Sequence, residues 1–374
     1  MIIRNALIYG ADHQFHEGEL YIRDGRLTDQ PAGAGEEAVD AEGLYAIPGL
    51  VDQHFHGAVG HDLCDADAAG LQAIADFEAS QGVLAICPAT MTFPEDKLRE
   101  VMTTAVAHRN GQGADLIGLN MEGPYLNPNK AGAQDPQYVI PADAEMFGRL
   151  QEAANGLIKL VDVAPEIPGN LDFIRKMSGQ VRVSLAHTAT DYDTAAEAFA
   201  SGAKQLTHTY NAMPSMSHRM PGPIPAGVEH GADAELIADG IHVHPAMVRL
   251  LFKLYGAEHI LLISDSMRAC GLPDGEYTLG GQAVTVRGKR AVLTEHPETI
   301  AGSVTCLYDC MKEAVLRMGV PLEDAARAAS ENPARALGVS EDYGSLTSGA
   351  SANIILADKE LNIKAIYQKG KRIR

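Results

Sequence analysis

Apolar runs that alternate with helical segments constrain the fold of this chain more than any other feature. Eight strand-like runs occur, at residues 46–56, 83–92, 115–122, 157–165, 181–187, 204–208, 234–242 and 259–265. The segments between them, such as 68–77 and 192–199, have a helical composition. Strands and helices that alternate in this way are typical of parallel βαβ units, and eight units close a (β/α)8 barrel of about 250 residues. The sequence therefore predicts an α/β fold with a TIM-like barrel over residues 47–349.

The two ends of the chain predict a second, smaller domain. Short apolar runs separated by Gly and Asp turns occur in residues 1–46 and again in residues 350–374, and such runs favour strands. We predict that these two segments form one small β-sandwich built from both chain termini. The segment 276–293 predicts a hairpin, and the sequence leaves open whether this hairpin joins the sandwich.

Charge and composition exclude several classes of protein. The net charge is −19, whereas nucleic acids and anionic membranes require a basic surface, so neither is expected as a partner. No apolar run approaches the roughly 20 residues that cross a bilayer. The first six residues lack the basic and apolar regions of a secretory signal, which predicts a cytoplasmic protein. The five cysteines show no C-x-x-C spacing, so neither a disulfide framework nor a thiolate zinc site is expected.

A pair of histidines ends the first barrel strand. The apolar run that opens after Pro48-Gly49 closes on His54-Phe55-His56. Because side chains alternate along a strand, the two imidazoles point the same way and can reach one metal ion. Taken alone, the pair is equally consistent with two histidines that make hydrogen bonds at a strand end.

Other strand ends favour the metal interpretation. In a barrel of this kind the active site lies at the C-terminal ends of the strands. Five of the eight predicted strands end in a residue type that binds metals, namely His54 with His56, Glu122, His187, His208 and Asp265. Imidazole and carboxylate ligands suit zinc or iron(II), and three protein ligands with an open position are typical of a hydrolytic site. The sequence therefore predicts a metal-dependent hydrolase.

Several motifs carry a resemblance to a known family. They lie at residues 48–57, 122–125, 208–213, 237–242, 265–269 and 301–303. Through them the chain resembles the amidohydrolase superfamily, and within it the N-acetylglucosamine-6-phosphate deacetylases, over nearly its whole length. The first motif marks only the superfamily, whereas the Glu-Gly-Pro, Tyr-Asn-Ala-Met and Ala-Asp-Gly-x-His stretches are specific to the deacetylases. The resemblance implies hydrolysis of the acetamido group of N-acetylglucosamine 6-phosphate.

The resemblance also implies a ligand set. Glu122, His187 and His208 would bind the main catalytic metal, and Asp265 would carry the proton from the attacking water to the leaving nitrogen. Strand four ends at 163–166 without a lysine for carbamylation, which leaves Glu122 as the carboxylate. In the family the strand-one pair varies. Because this chain keeps His54 and His56, which could hold a second ion together with Asp265, one or two ions per subunit are implied. Zinc is the expected metal and iron(II) the alternative.

Substrate contacts follow from the same resemblance. They are implied for Ala133, Asn211, Ala212, Arg219, His242, Ala301, Gly302 and Ser303. Arg219 is of the residue type that pairs bidentately with phosphate. The chain differs from the family pattern at Gln134, where many family members carry a histidine. A contact from this loop to the substrate that needs a charged side chain is therefore not expected from Gln134. The implied partner is an acetylated amino sugar phosphate, and the implied assembly is a homodimer.

Alternative functions remain open at this stage. The substrate could be N-acetylgalactosamine 6-phosphate, or the chain could be another amidohydrolase, of the dihydroorotase or N-acyl-amino-acid deacylase type. A third alternative is a non-catalytic, metal-dependent scaffold protein. Asp265 argues against the scaffold, because a structural zinc site has closed four-ligand coordination and needs no proton carrier.

Overall fold

The computed structural model describes residues 1–31 and 35–374. Its strands are β1 Ile2–Tyr9, β2 Phe15–Arg23, β3 Arg26–Thr28, β4 Ala38–Asp40, β5 Tyr45–Pro48, β6 Leu50–Asp52, β7 Gly57–Ala58, β8 His61–Asp62, β9 Val83–Ile86, β10 Asp115–Leu116, β11 Leu119–Met121, β12 Ile158–Val163, β13 Arg182–Leu185, β14 Gln205–Leu206, β15 Asp233–Ile237, β16 Ile260–Ile263, β17 Gly275–Leu279, β18 Gln282–Arg287, β19 Arg290–Leu293, β20 Ile354–Ala357, β21 Ile363–Gln368 and β22 Lys371–Arg372. The α-helices are α1 Ala68–Ser80, α2 Glu95–Ala107, α3 Ala144–Ala153, α4 Asn170–Met177, α5 Tyr192–Ala200, α6 Pro223–Glu229, α7 Pro245–Tyr255, α8 Leu307–Leu316, α9 Leu322–Ala329 and α10 Glu331–Ala336.

Parallel strands in chain order form the wall of the barrel. β6, β9 and β10 make one sheet, and β11 to β16 make a second in which each strand pairs with the next. A bridge between Ala89 and Asn120 joins the two sheets. On the other side, the amide of Asp265 donates to the carbonyl of His54 at 3.0 Å. With β10 and β11 taken as one interrupted strand, the predicted α/β fold with eight parallel strands is confirmed.

The predicted first strand, 46–56, is divided between two sheets. β5 pairs with β1 and β20, whereas β6 pairs with β9 in the barrel wall. The change of sheet occurs at Gly49, where an added Cβ would lie 2.7 Å from the Leu84 side chain. Glycine permits this close approach of backbone to side chain. The prediction of one continuous strand over 46–56 was therefore wrong: its first part belongs to the terminal sheet, and the barrel strand ends at Asp52.

Strands from both chain ends form one sheet. Its order is β22-β21-β20-β5-β1-β2-β3, with β4 parallel to β1. Strands from both termini thus share a single eight-stranded sheet among the described residues. The two-layered sandwich and its bounds at residues 46 and 350 stay predictions. β17, β18 and β19 form a separate antiparallel sheet, so within the described residues the 276–293 hairpin does not join the terminal sheet.

Burial explains the composition of these elements. Every residue of Val83–Ile86 and Ile260–Ile263 is buried, as expected for parallel strands that are covered on both faces. The helices instead bury one stripe. Three of them begin after an Asp whose carboxylate accepts backbone N–H bonds, at Asp67, Asp143 and Asp191, and this capping satisfies the free amides of a helix start.

No helix among the described residues is long and apolar enough to cross a bilayer.

β20 connects the two cores, which makes it a test of how the terminal sheet stabilises the barrel. Ile355 is fully buried in the barrel core, and its neighbour Ile354 is fully buried in the core of the terminal sheet. We expect Ile355→Ala to lower the free energy of unfolding by about 2–5 kcal/mol, because it leaves a cavity. The free energy of unfolding is measured by urea unfolding. The control Ile373→Ala, at a side chain 44% exposed, should change this free energy by less than about 0.5 kcal/mol. Equal effects of the two substitutions would contradict this assignment.

Candidate metal centre and active site

A cavity of about 390 Å³ opens at the C-terminal ends of the barrel strands. Ten of the residues predicted from the sequence line it, namely His56, Glu122, Ala133, His187, His208, Asn211, Ala212, His242, Asp265 and Gly302. These residues come from segments that are up to 246 positions apart in the chain, since the first is 56 and the last 302. The fold thus brings most of the predicted site together in one place.

Three buried side chains converge at the base of the cavity. Glu122 follows β11, His187 follows β13 and His208 follows β14. Oε1 of Glu122 lies 3.1 Å from Nε2 of His187 and 3.2 Å from Nε2 of His208, and the two nitrogens are 3.1 Å apart. Ligands bound to one tetrahedral zinc at 2.0–2.1 Å lie about 3.3 Å from each other. The three atoms therefore have the spacing of a metal ligand set.

Hydrogen bonding supports the same conclusion. Nδ1 of His187 donates to the carbonyl of Lys130 at 2.8 Å, which leaves the lone pair of Nε2 directed at the Glu122 carboxylate. Two acceptors 3.1 Å apart repel each other unless a cation lies between them. A backbone carbonyl on the far nitrogen is also the usual partner of a metal-bound histidine. The donor set thus fits a divalent metal ion.

Backbone conformation marks the same strand ends. His187, His208 and Asp265 have φ values of 42°, 30° and 48°, in the left-handed region that residues other than glycine rarely adopt. Such strained residues cluster at functional sites, where the surrounding structure holds them. This backbone conformation directs the three side chains into the cavity at the point where each strand ends.

The strand-one histidines also approach Glu122, His56 at Oε2 and His54 at Oε1. Nε2 of His56 is 3.3 Å from Oε2 of Glu122 and 3.3 Å from Oδ1 of Asp265, and Nε2 of His54 is 3.5 Å from Oε1 of Glu122. Although β6 ends at Asp52, both imidazoles point toward Glu122. His54, His56 and Glu122 form a second group with the spacing of metal ligands.

Electrostatics keep both carboxylates of the centre ionised. Burial alone would raise the pKa of Glu122, but the neighbouring imidazoles, first His54 and then His187 and His208, hold the pKa of that carboxyl well below its usual range. Burial likewise opposes ionisation of Asp265, and its hydrogen bond with His56 lowers the pKa of the carboxyl. Buried carboxylates of this kind require a compensating positive charge, which a bound cation would supply.

His242 is held in one orientation at the wall of the cavity. Its Nδ1 donates to Oδ2 of Asp239 at 2.7 Å, and Oδ1 of Asp239 accepts the backbone amides of Ile241 and His242 at 2.9 Å. Burial opposes the charged imidazole, but Asp239 raises the pKa of His242 above its usual value. Nε2 of His242 therefore presents a lone pair to the cavity in the neutral imidazole and an N–H in the imidazolium form, which Asp239 favours.

Four predicted residues do not line the cavity. His54 and Ala301 are fully buried, and Ser303 is 1% exposed; the Ser303 hydroxyl donates to the carbonyl of Ser264 at 2.6 Å. Arg219 is exposed on the loop that precedes α6, and it makes no ion pair within residues 1–31 and 35–374. The metal-binding role of His54 and the substrate contacts of Ala301, Ser303 and Arg219 remain predictions.

Sequence reasoning missed Glu235, which organises the layer beneath the metal ligands. It is fully buried and accepts bonds from Gln53 Nε2 at 2.7 Å, His54 Nδ1 at 2.9 Å, Gln205 Nε2 at 2.8 Å and the His208 amide at 3.1 Å. A carboxylate that orients metal-site histidines in this way is typical of such centres. Its position inside the apolar strand Asp233–Ile237 was the available signal, because charged residues are rarely buried without a partner.

Comparisons with known proteins agree with this geometry. A sequence model of the amidohydrolase family matches residues 45–373. The N-acetylglucosamine-6-phosphate deacetylase of Bacillus subtilis (strain 168) is 33% identical over 97% of this chain and 94% of its own length. The N-acetylgalactosamine-6-phosphate deacetylase of Escherichia coli O157:H7 is 35% identical over 96% of this chain and 94% of its own length.

Solved structures show the same relationship. A mutant N-acetyl-D-glucosamine-6-phosphate deacetylase from Mycobacterium smegmatis, in complex with N-acetyl-D-glucosamine-6-phosphate, superposes with a TM-score of 0.92 at 29% identity, covering 100% of this chain and 98% of that chain. The deacetylase from Thermotoga maritima gives a TM-score of 0.86 at 26% identity, covering 100% of this chain and 99% of that chain. The chain therefore belongs to the amidohydrolase family, and within it to the N-acetylglucosamine-6-phosphate deacetylases.

Proposed function

We propose that this chain hydrolyses the acetamido group of N-acetylglucosamine 6-phosphate, giving glucosamine 6-phosphate and acetate. The observation that carries the proposal is the convergence of Glu122, His187 and His208 beside Asp265 at the base of a cavity of about 390 Å³. Relatives along nearly the whole chain are named for this reaction, and the structurally similar enzyme from Mycobacterium smegmatis binds this sugar phosphate.

Glu122, His187 and His208 would hold the catalytic ion. We propose zinc, with iron(II) as the alternative, since imidazole and carboxylate ligands suit both. A second ion, if one binds, would use His54, His56 and Glu122, with Asp265 beside them. When bound, such an ion lowers the pKa of water from 15.7 to about 7 and polarises the amide carbonyl.

Asp265 is placed to move the proton. Its lowered pKa leaves the carboxylate ionised at neutral pH, so it can accept the proton of the attacking water. It then returns that proton to the amide nitrogen, because the amine leaves only in its neutral form. Positioned proton transfer of this kind contributes about 10²–10⁴-fold to a rate.

Other residues would hold the sugar phosphate. In its imidazolium form, which Asp239 favours, His242 can donate from Nε2 to a substrate oxygen, and Asn211 and Ala212 line the same cavity. Arg219 is the proposed phosphate ligand because guanidinium pairs bidentately with phosphate. Since Arg219 lies outside the cavity lining, this contact requires the loop over 214–222 to approach the cavity.

The remaining proposals concern the setting of the enzyme. We propose a homodimer, as the family resemblance implies. A sugar phosphate is charged and does not cross membranes unaided, which supports a cytoplasmic location. The main alternative substrate is N-acetylgalactosamine 6-phosphate, because a relative 35% identical to this chain is named for it.

The reaction is tested with both sugar phosphates. We expect metal-reconstituted enzyme to release acetate from N-acetylglucosamine 6-phosphate with a higher kcat/KM than from the galacto isomer, measured by a coupled acetate assay. A preference for the galacto isomer would favour the alternative. Absence of acetate release from either sugar would contradict the proposed function.

The ligand assignment is tested by metal content. His187→Ala removes a direct ligand from a group of three, so bound metal, measured by elemental analysis after dialysis, should fall to background. The loss should exceed the roughly 10–100-fold typical of changes behind the ligands. His218→Ala, at an exposed histidine outside the cavity, should leave the metal content unchanged. Full occupancy in His187→Ala would refute the assignment.

The proton carrier is tested by Asp265→Asn. Asparagine keeps the shape of the side chain but cannot accept the proton of water, so kcat should fall at least about 10²-fold. Metal content of the same preparation serves as the control for the integrity of the site. A kcat close to that of the parent enzyme would place the proton transfer on another residue.

The phosphate contact is tested by comparing sugars with and without phosphate. Loss of one hydrogen bond to a charged group is worth about 1.5–3 kcal/mol, so Arg219→Ala should lower kcat/KM for the phosphorylated sugar about 10–100-fold. The unphosphorylated sugar should be almost unaffected. Arg219→Lys should recover part of the loss, and Arg109→Ala, at an exposed arginine, should have no effect. A preference for phosphate that survives Arg219→Ala would exclude the contact.

A further inference from the structure

We propose that Gln134 is a positioning residue that gives the two oxygens of Glu122 different tasks. It binds Oε2 of Glu122 and thereby keeps Oε1 directed at His187 and His208, the two histidines of the main metal site. The inference rests on the proposed function, because it concerns the same centre, and it deepens that proposal with a residue that no ligand assignment includes.

The Gln134 side chain is buried, and both ends of its amide make hydrogen bonds. It is 2% exposed. Its Nε2 donates to Oε2 of Glu122 at 2.7 Å, and its Oε1 accepts the backbone amide of Thr92 at 2.6 Å. The Thr92 amide can only donate, so the amide oxygen of Gln134 must face Thr92 and the NH₂ group must face Glu122. The direction of the bond to Glu122 is thus determined by the backbone.

The two oxygens of Glu122 have different surroundings. Oε1 lies 3.1 Å from Nε2 of His187 and 3.2 Å from Nε2 of His208, with Nε2 of His54 farther away at 3.5 Å. Oε2 lies 2.7 Å from Gln134 and 3.3 Å from Nε2 of His56. Rotation of the carboxylate would break the Gln134 bond before it exchanged these oxygens. Gln134 therefore presents one defined oxygen to the main metal site.

The loop that carries Gln134 contacts a second ligand of the same site. The carbonyl of Lys130 accepts the bond from Nδ1 of His187 at 2.8 Å. The carbonyl of Ala133 accepts a bond from Gln282 Nε2 at 2.7 Å, which ties the loop to β18. The Lys130 contact comes from the backbone, whereas the Gln134 contact comes from a side chain. Of these two contacts, a substitution can remove only the one that the Gln134 side chain makes with Glu122.

The proposal is tested by metal binding in the absence of substrate. Apoenzyme is titrated with Zn²⁺ in competition with a chromophoric chelator. Gln134→Met has a side chain of similar length without hydrogen-bonding groups, and it should bind Zn²⁺ about 10–100-fold more weakly than the parent, as is typical when the partner of a metal ligand is lost. The matched control is Gln137→Met, at an exposed glutamine three positions after Gln134. This variant should bind Zn²⁺ like the parent.

A spectrum separates positioning from general loosening of the site. Enzyme loaded with Co²⁺ has visible absorption bands that depend on the ligand geometry. These bands should change in Gln134→Met and remain those of the parent in Gln137→Met. Weaker Zn²⁺ binding with an unchanged cobalt spectrum would overturn the positioning role, and so would parental affinity in Gln134→Met.

A second variant keeps the test decisive if Gln134→Met does not fold, as judged by its thermal unfolding. Gln134→Asn retains the amide but is one methylene shorter, so it cannot reach Thr92 and Glu122 together. It should also weaken Zn²⁺ binding and change the cobalt spectrum, and parental values in this variant would overturn the proposal. Because no sugar is present, failure here is distinct from failure of the proposed deacetylation, which would appear as absence of acetate release by the parent enzyme.

Discussion

The burial of the Glu122 carboxylate is the constraint on which the rest of the site depends. At 2% exposure, an ionised carboxylate is unfavourable unless positive charge and hydrogen-bond donors surround it. Here four imidazoles and the amide of Gln134 meet its two oxygens. The carboxylate leaves each neighbouring group few alternative directions, so these side chains keep the spacing of a metal ligand set.

The barrel supplies this environment from its strand ends. Parallel strands place their C-terminal ends at one rim, so side chains far apart in the chain converge there. Left-handed backbone conformations at His187, His208 and Asp265 turn these side chains inward. Beneath them, the buried Glu235 binds His54 and the His208 amide. The rim of the barrel thus holds the candidate metal ligands together with the backbone conformations and the buried Glu235 that orient them.

Much of this arrangement could be predicted, and the successes have a common physical origin. The eight apolar runs report burial of both faces of a parallel strand, which is a local property of the sequence. Glu122, His187 and His208 are the last residues of three such runs, so their convergence followed from the predicted fold. The family resemblance added Asn211, Ala212 and His242, and all three line the cavity.

What could not be predicted depends on contacts between distant segments. The sequence by itself determined the order of strands and helices and the residue types at the strand ends, because apolar periodicity and strand length are local. Only the tertiary structure decided that the chain changes sheets at Gly49, that Arg219 lies outside the cavity lining, and that Gln134 faces Glu122. These outcomes depend on close packing against Leu84, on the path of an exposed loop, and on a hydrogen bond from the Thr92 amide. Such contacts leave no periodic pattern in the sequence, because each is set by distances that exist only once the barrel has closed.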